Sequence, residues 1–283
     1  MPPGGADRAI LRPADGEGQS GYGGDKFTFF RRIARATHTT VTSDQRGNQT
    51  MKPAASPAPT FDEVVQGRRS IRGYRPEPVP RALIREVLEV AMRAPSSLNT
   101  QPWNFYVVAG EALDRIRAGN TERNLAGVPS SREFRGHGEY GGAHRERQIG
   151  VAKQLFAAMG IERDNKEKRT DWVLRGFRQF DAPVSIVVTY DRSIHGGDIG
   201  PFDCGAVTNA LVNAAWARGL GCVINSQGIM QSPVVREHAG IPDDQVIMIC
   251  VAMGWPDDTF PANAVVSQRK SIDEAAVFVG FDD

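Results

Sequence analysis

An α+β fold is predicted by three features of this 283-residue chain. Residues 81–93 repeat apolar side chains at helical spacing. Three separated runs rich in β-branched and aromatic residues, 103–108, 184–190 and 246–253, read as strands, and residues 203–218 read as a helix that is apolar on almost every face. With 40% hydrophobic and 24% charged residues there is material for one large domain or two small ones. Lys plus Arg number 34 against 33 Asp plus Glu, a net charge of +1, so no global field draws nucleic acid or an anionic membrane. Any anion site must be local.

Residues 1–60 are dominated by Gly, Pro, Ser, Thr and charged residues and are expected to be a disordered N-terminal extension. Within it, Phe27 to Ile33 reads either as a short helix or as a docking segment, and Met51 offers a second start. No apolar run reaches the roughly 18–20 residues of a membrane span, and the N-terminus lacks the pattern of a signal peptide. The expected location is therefore cytoplasmic. Cys204, Cys222 and Cys250 are widely spaced in apolar surroundings and read as buried reduced thiols, matching neither a disulfide framework nor a zinc site.

Taken in order, Phe61–Gln66 reads as a short helix with Thr60 as N-cap and Glu63 closing a capping box. Pro76, Pro78 and Pro80 hold the next connection extended. Leu83, Ile84, Val87, Leu88, Ala91 and Met92 then line one face of an amphipathic helix, with Arg81, Arg85, Glu86, Glu89 and Arg93 on the other. Pro95 ends that helix, because the residue before a proline is pushed out of the α region. Ser96 to Asn99 is loop and Trp103–Val108 a strand.

The stretch 111–180 is the least regular, with helices expected at about 146–159 and 166–177. Its mild surplus of basic side chains is either a solvated helical face or a place for a pyridine-nucleotide phosphate. Val184–Tyr190, after Pro183, reads as a buried strand. The helix at 203–218 takes Asp203 as N-cap and Gly219 as its closing glycine; its apolar surface must be covered by core or by another chain. Gln245–Trp255 is the most apolar strand and is expected at the sheet centre, and the tail 275–281 alternates apolar residues weakly.

The chemistry narrows by elimination. A strand followed by Gly-x-Gly-x-x-Gly, a Walker A lysine loop and a Gly-x-Ser-x-Gly elbow are all missing, and the five histidines do not pair at metal-ligand spacing. Chemistry carried by a bound cofactor remains. Arg68-Arg69-Ser70-Ile71-Arg72 packs three guanidinium groups and a hydroxyl into five residues, either a phosphate site or a solvated surface. About two dozen residues later comes Ala94-Pro95-Ser96-Ser97-Leu98-Asn99-Thr100-Gln101-Pro102-Trp103, and near the C-terminus Gln268-Arg269-Lys270.

These three elements, in this order, resemble the FMN-dependent nitroreductase family, from Phe61 to about Gly280. The resemblance implies a three-layer α+β fold with a central mixed or antiparallel sheet, in an intertwined homodimer whose C-terminal strands exchange. It makes 61–283 the FMN-binding domain, with a helical substrate cover at about 120–180 whose aromatic residues roof the pocket or simply pack their own helices.

In this resemblance Arg68 and Arg269 hold the FMN phosphate, with Ser70 in support and Lys270 as a further candidate. Arg69 lies along the ribityl chain, and Arg72 sits at the pyrimidine end of the ring. Pro95, Ser96, Ser97, Leu98 and Asn99 reach the same flavin from the other subunit. Ser226, Gln227 and Gly228 pass the reactive edge, where Gly228 lets its amide approach and Gln227 stands where many relatives carry an acid. NADPH or NADH is the implied reductant, and nitroaromatics, quinones or similar acceptors the substrates. Reductive dehalogenation, flavin destruction, or FMN storage or sensing without turnover remain alternatives.

Overall fold

The structure, a computed structural model, describes residues 58–134 and 138–281. The expected N-terminal extension, with the 27–33 segment and Met51, lies outside the described residues apart from its last three positions. In chain order the elements are α1 (Phe61–Gly67), α2 (Arg81–Ala91), β1 (Trp103–Ala109), α3 (Gly110–Leu125), α4 (Gly142–Ala158) and α5 (Lys166–Phe177). They continue as β2 (Val184–Asp191), α6 (Ile199–Trp216), β3 (Gly221–Asn225), α7 (Ser232–Ala239), β4 (Gln245–Gly254) and α8 (Ile272–Ala275).

The four strands form one sheet in the order β1-β2-β4-β3, every neighbouring pair antiparallel. β2 and β4 occupy the centre, which is why residues 184–190 are buried without a break and why the apolar 246–253 run has no polar face. Alternation along β2 builds the layers. Ile186, Val188 and Tyr190 pack with Val87 of α2 and Val207 and Leu211 of α6, while Val187 packs with Leu113 and Ile116 of α3 and Val235 of α7. Helix, sheet and helix thus form three layers.

The local signals explain most boundaries. Thr60 and Glu63 make the capping box of α1, and α2 buries Ile84, Val87 and Ala91. Helix α6 departs from expectation, starting at Ile199 rather than at Asp203. Asp203 does not cap it: the side chain is 3% exposed and accepts a hydrogen bond from the Ser97 backbone N–H at 3.0 Å. Gly219, at φ +76°, does close the connection to β3.

Two helices, α3 and α7, carry no clear periodic signal. α3 mixes charge into every turn and buries only Leu113, Ile116 and Asn120. Its Gly119 marks a close approach, since a Cβ there would sit 2.7 Å from Val234 Cγ1 of α7. After α8, the tail leaves Val277, Phe278, Val279 and Phe281 exposed.

All three cysteines are free and buried. Burial pushes the thiols of Cys204 and Cys250 up to about 12 and that of Cys222 higher still, so none is a thiolate at neutral pH. A thiol reagent at pH 8 is therefore expected to label the folded protein slowly at all three positions and rapidly once urea unfolds it; fast labelling of the native protein would contradict this burial.

Candidate functional site

The Arg cluster is held against the sheet edge by its one apolar member. Arg68 leaves α1 in an extended conformation. Ser70 bridges to Cys222 in parallel, and the Ile71 N–H donates to the Cys222 carbonyl at 3.0 Å. Ile71 is 1% exposed and lies against Gly221, where any Cβ would come within 2.6 Å of its Cγ1. The cluster therefore runs beside β3, and β3 leads directly into Ser226, Gln227 and Gly228.

Asn263, which nothing in the sequence singled out, fastens the far end of the cluster. Its Oδ1 accepts from the backbone N–H of Arg72 at 2.7 Å and of Gly73 at 3.1 Å, and its Nδ2 donates to the carbonyls of Gly73 and Asp257. The Asn263 carbonyl also accepts from Arg69 Nε at 2.6 Å, and the Arg69 guanidinium lies 5.5 Å over the Trp216 ring. Arg69 is thus partly committed to the protein, with its terminal nitrogens left over.

The electrostatics of the cluster are those of an anion site. Burial lowers the pKa of Arg68, and the positive charge of Arg269 lowers it further; Arg72 is lowered by burial. Among the described residues no carboxylate stands within ion-pair distance of Arg68, Arg69, Arg72 or Arg269. Arg269 is exposed and, among the described residues, hydrogen-bonds Ser267 and the Gln268 carbonyl. Arg269 thus lies near enough to Arg68 for its charge to be felt there.

The segment after β3 is fixed from behind. Asn225 donates to the Gly176 carbonyl at 2.8 Å and accepts from the Gln227 N–H at 3.0 Å. Gln227 Nε2 donates to the Val173 carbonyl, its amide lying where a Cβ on Gly176 would be. The Gly228 carbonyl accepts from the fully buried Asn120 at 2.8 Å. A Cβ on Gly228 would meet Cys250 Sγ at 2.6 Å and Gln179 Cγ at 2.8 Å. Glycine is therefore required on the protein's side of this position. Gln179 itself begins three consecutive left-handed residues, Gln179, Phe180 and Asp181, and its buried amide has no partner among the described residues.

The Pro95–Asn99 loop is strained in the same sense. Leu98, Asn99 and Gln101 have φ of 48°, 60° and 46°, each at a cost of about 1–2 kcal/mol for a non-glycine residue. Asp203 holds the loop through Ser97, and Ser96 Oγ accepts from the Gln101 N–H. Among the described residues no hydrogen bond joins it to Arg68–Arg72 of its own chain; it stands by α6, with Leu98 96% exposed.

One further cation sits beside the cluster. Arg175 of α5 donates to the Arg72 carbonyl at 3.3 Å and lies 4.8 Å over the Phe260 ring, and its buried Nε has no partner among the described residues. Of the aromatic residues in the 120–180 stretch, Phe177 and Trp172 sit in α5; Phe177 is buried, and Trp172 packs edge-on against the buried Phe180. His137 lies outside the described residues.

The Asn263 clamp is directly testable. Asn263→Ala leaves two backbone donors and two carbonyls without their partner, and is expected to lower unfolding free energy by roughly 2–4 kcal/mol in urea titration. A change under about 0.5 kcal/mol would mean that water replaces the amide without loss.

Comparison with known proteins agrees with this geometry. The nitroreductase family model matches residues 65–255. Nitrobenzene nitroreductase of Ectopseudomonas oleovorans is 34% identical over 228 residues, covering 78% of this chain and 98% of that protein. Chloronitrobenzene nitroreductase of Comamonas testosteroni is 32% identical over 229 residues, with the same coverage. Among solved structures, the FMN- and NADPH-dependent nitroreductase NfnB from Sphigopyxis sp. strain HMH superposes with a TM-score of 0.74 at 29% identity, over 78% of this chain and 100% of that one. NfnB from Mycobacterium smegmatis, in complex with NADPH, gives 0.72 at 27% identity, over 77% and 97%. With the family model spanning most of the folded part and the antiparallel sheet and its flanking helices shared with these structures, the chain belongs to the nitroreductase family.

Proposed function

We propose that the chain is an FMN-dependent oxidoreductase that carries hydride from NADPH or NADH to nitroaromatic, quinone or similar acceptors in alternating half-reactions. The observation that carries this reading is the half-buried pair Arg68 and Arg72 beside β3, with Arg269 near enough to lower the pKa of Arg68 and no carboxylate within ion-pair distance of any of the three among the described residues. The names of the relatives support the substrate class, and the titles of the similar structures support the cofactor and reductant.

The donor set fits FMN. A terminal phosphate ester suits Arg68 and Arg269, with Ser70 and Lys270 nearby in sequence, because charged guanidinium donors bind phosphate oxygens strongly. Arg69 would offer its remaining nitrogens to the ribityl chain. Arg72 would place its charge at the pyrimidine end of the ring, where negative charge arises on reduction. Ser226, Gln227 and Gly228 would line the reactive edge, with the backbone position of Gly228 held by Asn120, Cys250 and Gln179. FMN, when bound, would supply two-electron redox chemistry between the nicotinamide and the acceptor. The chain's own task is to grip, orient and stabilise charge, and no acid or base side chain is required.

We assign residues 61–283 to this domain and the stretch 120–180 to its substrate cover. The working form we propose is a homodimer in which the Pro95–Asn99 loop of each chain completes its partner's site and the C-terminal tails cross over. Three observations favour it: an apolar cavity of about 610 Å³ lined by Phe61, Val65, Val90, Pro95 and Ala210, the 75% exposure of Phe202 on α6, and the uncovered apolar tail. Among the described residues no helix is long and apolar enough to cross a membrane, and buried reduced thiols suit a cytoplasmic setting.

The purified protein is expected to be yellow, and both the bleaching of its flavin by a nicotinamide and the oxidation of that nicotinamide by nitrobenzene should follow in a spectrophotometer. Replacing Arg269 by Ala is expected to weaken FMN binding by roughly 1.5–3 kcal/mol, the usual worth of a charged hydrogen bond. Unchanged FMN affinity removes Arg269 from the phosphate site. A colourless protein that takes up no FMN on titration refutes the reading; a yellow one that neither nucleotide bleaches leaves only a flavin store.

A further inference from the structure

We propose that the hairpin formed by α4 and α5 holds the 2′-phosphorylated adenosine end of NADPH, and so makes NADPH the preferred reductant. This rests on the oxidoreductase reading above and adds a site to it. A cavity of about 710 Å³ opens between α4 and the turn into α5, with Arg145, Lys153, Arg163 and Arg169 around an apolar floor that includes Ile149 and Phe156. Against these four cations the lining holds one carboxylate, Glu162, and none of the four forms an ion pair among the described residues. Arg169 Cζ lies 4.7 Å from the centroid of the Phe156 ring, and Arg145 donates to Gln148.

A second cavity of about 480 Å³ shares Ile161 with the first. Its charges cancel, with Lys168 and Arg175 facing Glu167 and Asp171. Arg175 is the residue that reaches the Arg72 carbonyl, so this second cavity adjoins the proposed flavin site. Arg175, which touches Arg72, and Ile161, which lines both cavities, thus link the flank of the proposed flavin site to the cationic cavity. This link is electrically balanced at the near end and strongly positive at the far end.

A pyridine dinucleotide has the matching polarity. Its nicotinamide must reach the flavin, and its far end is an adenosine that carries an additional phosphate dianion in NADPH and none in NADH. Arginine beside the ribose is the usual means of accepting that phosphate. Unpaired cations over an apolar and aromatic floor also suit an adenine ring lying above them.

The test compares adenosine 2′,5′-bisphosphate with adenosine 5′-monophosphate by calorimetry on the flavin-loaded protein, alongside KM for NADPH and NADH. Lys153 and Arg163 are exposed and outside the flavin site, so Lys153→Ala and Arg163→Ala serve as probes. Each is expected to weaken bisphosphate binding and raise KM for NADPH about tenfold, with KM for NADH changed less than about twofold. Equal affinity for the two adenosine nucleotides, or parallel losses for NADPH and NADH, overturns the proposal. Selective bisphosphate binding by a protein that oxidises neither dinucleotide would refute the reductase reading while keeping the site.

Discussion

Arg68 and Arg269 come from segments about 200 residues apart in sequence, and the positive charge of Arg269 adds to burial in lowering the Arg68 pKa, with no carboxylate within ion-pair distance of either among the described residues. In the proposed site a doubly charged phosphate would reverse the sign of that interaction, and the surrounding contacts hold the cations in place for it. Ile71 seats the cluster under Gly221, the parallel bridge at Ser70 aligns it with β3, and Asn263 ties Arg72 and Gly73 to the segment that leads on to Arg269. The edge strand β3 thereby anchors both, pairing with the cluster at Ser70 and running on into the Ser226–Gly228 segment. Binding and redox positioning are one structural problem here.

Backbone conformation is the second recurring constraint. Left-handed residues other than glycine gather at Leu98, Asn99 and Gln101 and at Gln179, Phe180 and Asp181. Both groups adjoin the proposed flavin segments, the first within the 95–101 loop and the second behind Gly228. Strain of this kind persists only where the surroundings over-determine it. Asp203 does so for the loop, and Arg117, donating to the carbonyls of Arg178 and Ala182, spans the turn.

Much of this was legible in the residues, for identifiable reasons. The α2 face and the β2 and β4 runs follow from burial on one or both sides, which leaves a periodic or continuous apolar signature. α3 escaped because its buried face, at helical spacing, holds only two large apolar residues, Leu113 and Ile116, with polar Asn120 completing it and Gly119 making the contact with Val234. Asp203 read as a helix cap, since a carboxylate before an apolar run usually is one; its loop partner, Ser97, is 106 residues away. Of the site, the Arg cluster and Gly228 were visible through composition and resemblance, whereas Asn263, Asn120 and Arg175 act through backbone atoms remote in sequence. The basic surplus of the cover stretch was ambiguous in the sequence; it took the folded hairpin to gather four of its cations around one cavity.

The central claim is that cations distant in sequence converge on one phosphate group. Titrating the flavin-free protein with FMN and with riboflavin, which carries the same ring and ribityl chain without the phosphate, tests it most directly. The account predicts that FMN binds at least about a hundredfold more tightly, as two charged hydrogen bonds imply, and that the gap narrows as salt is raised. Equal affinities, unaffected by salt, would contradict it.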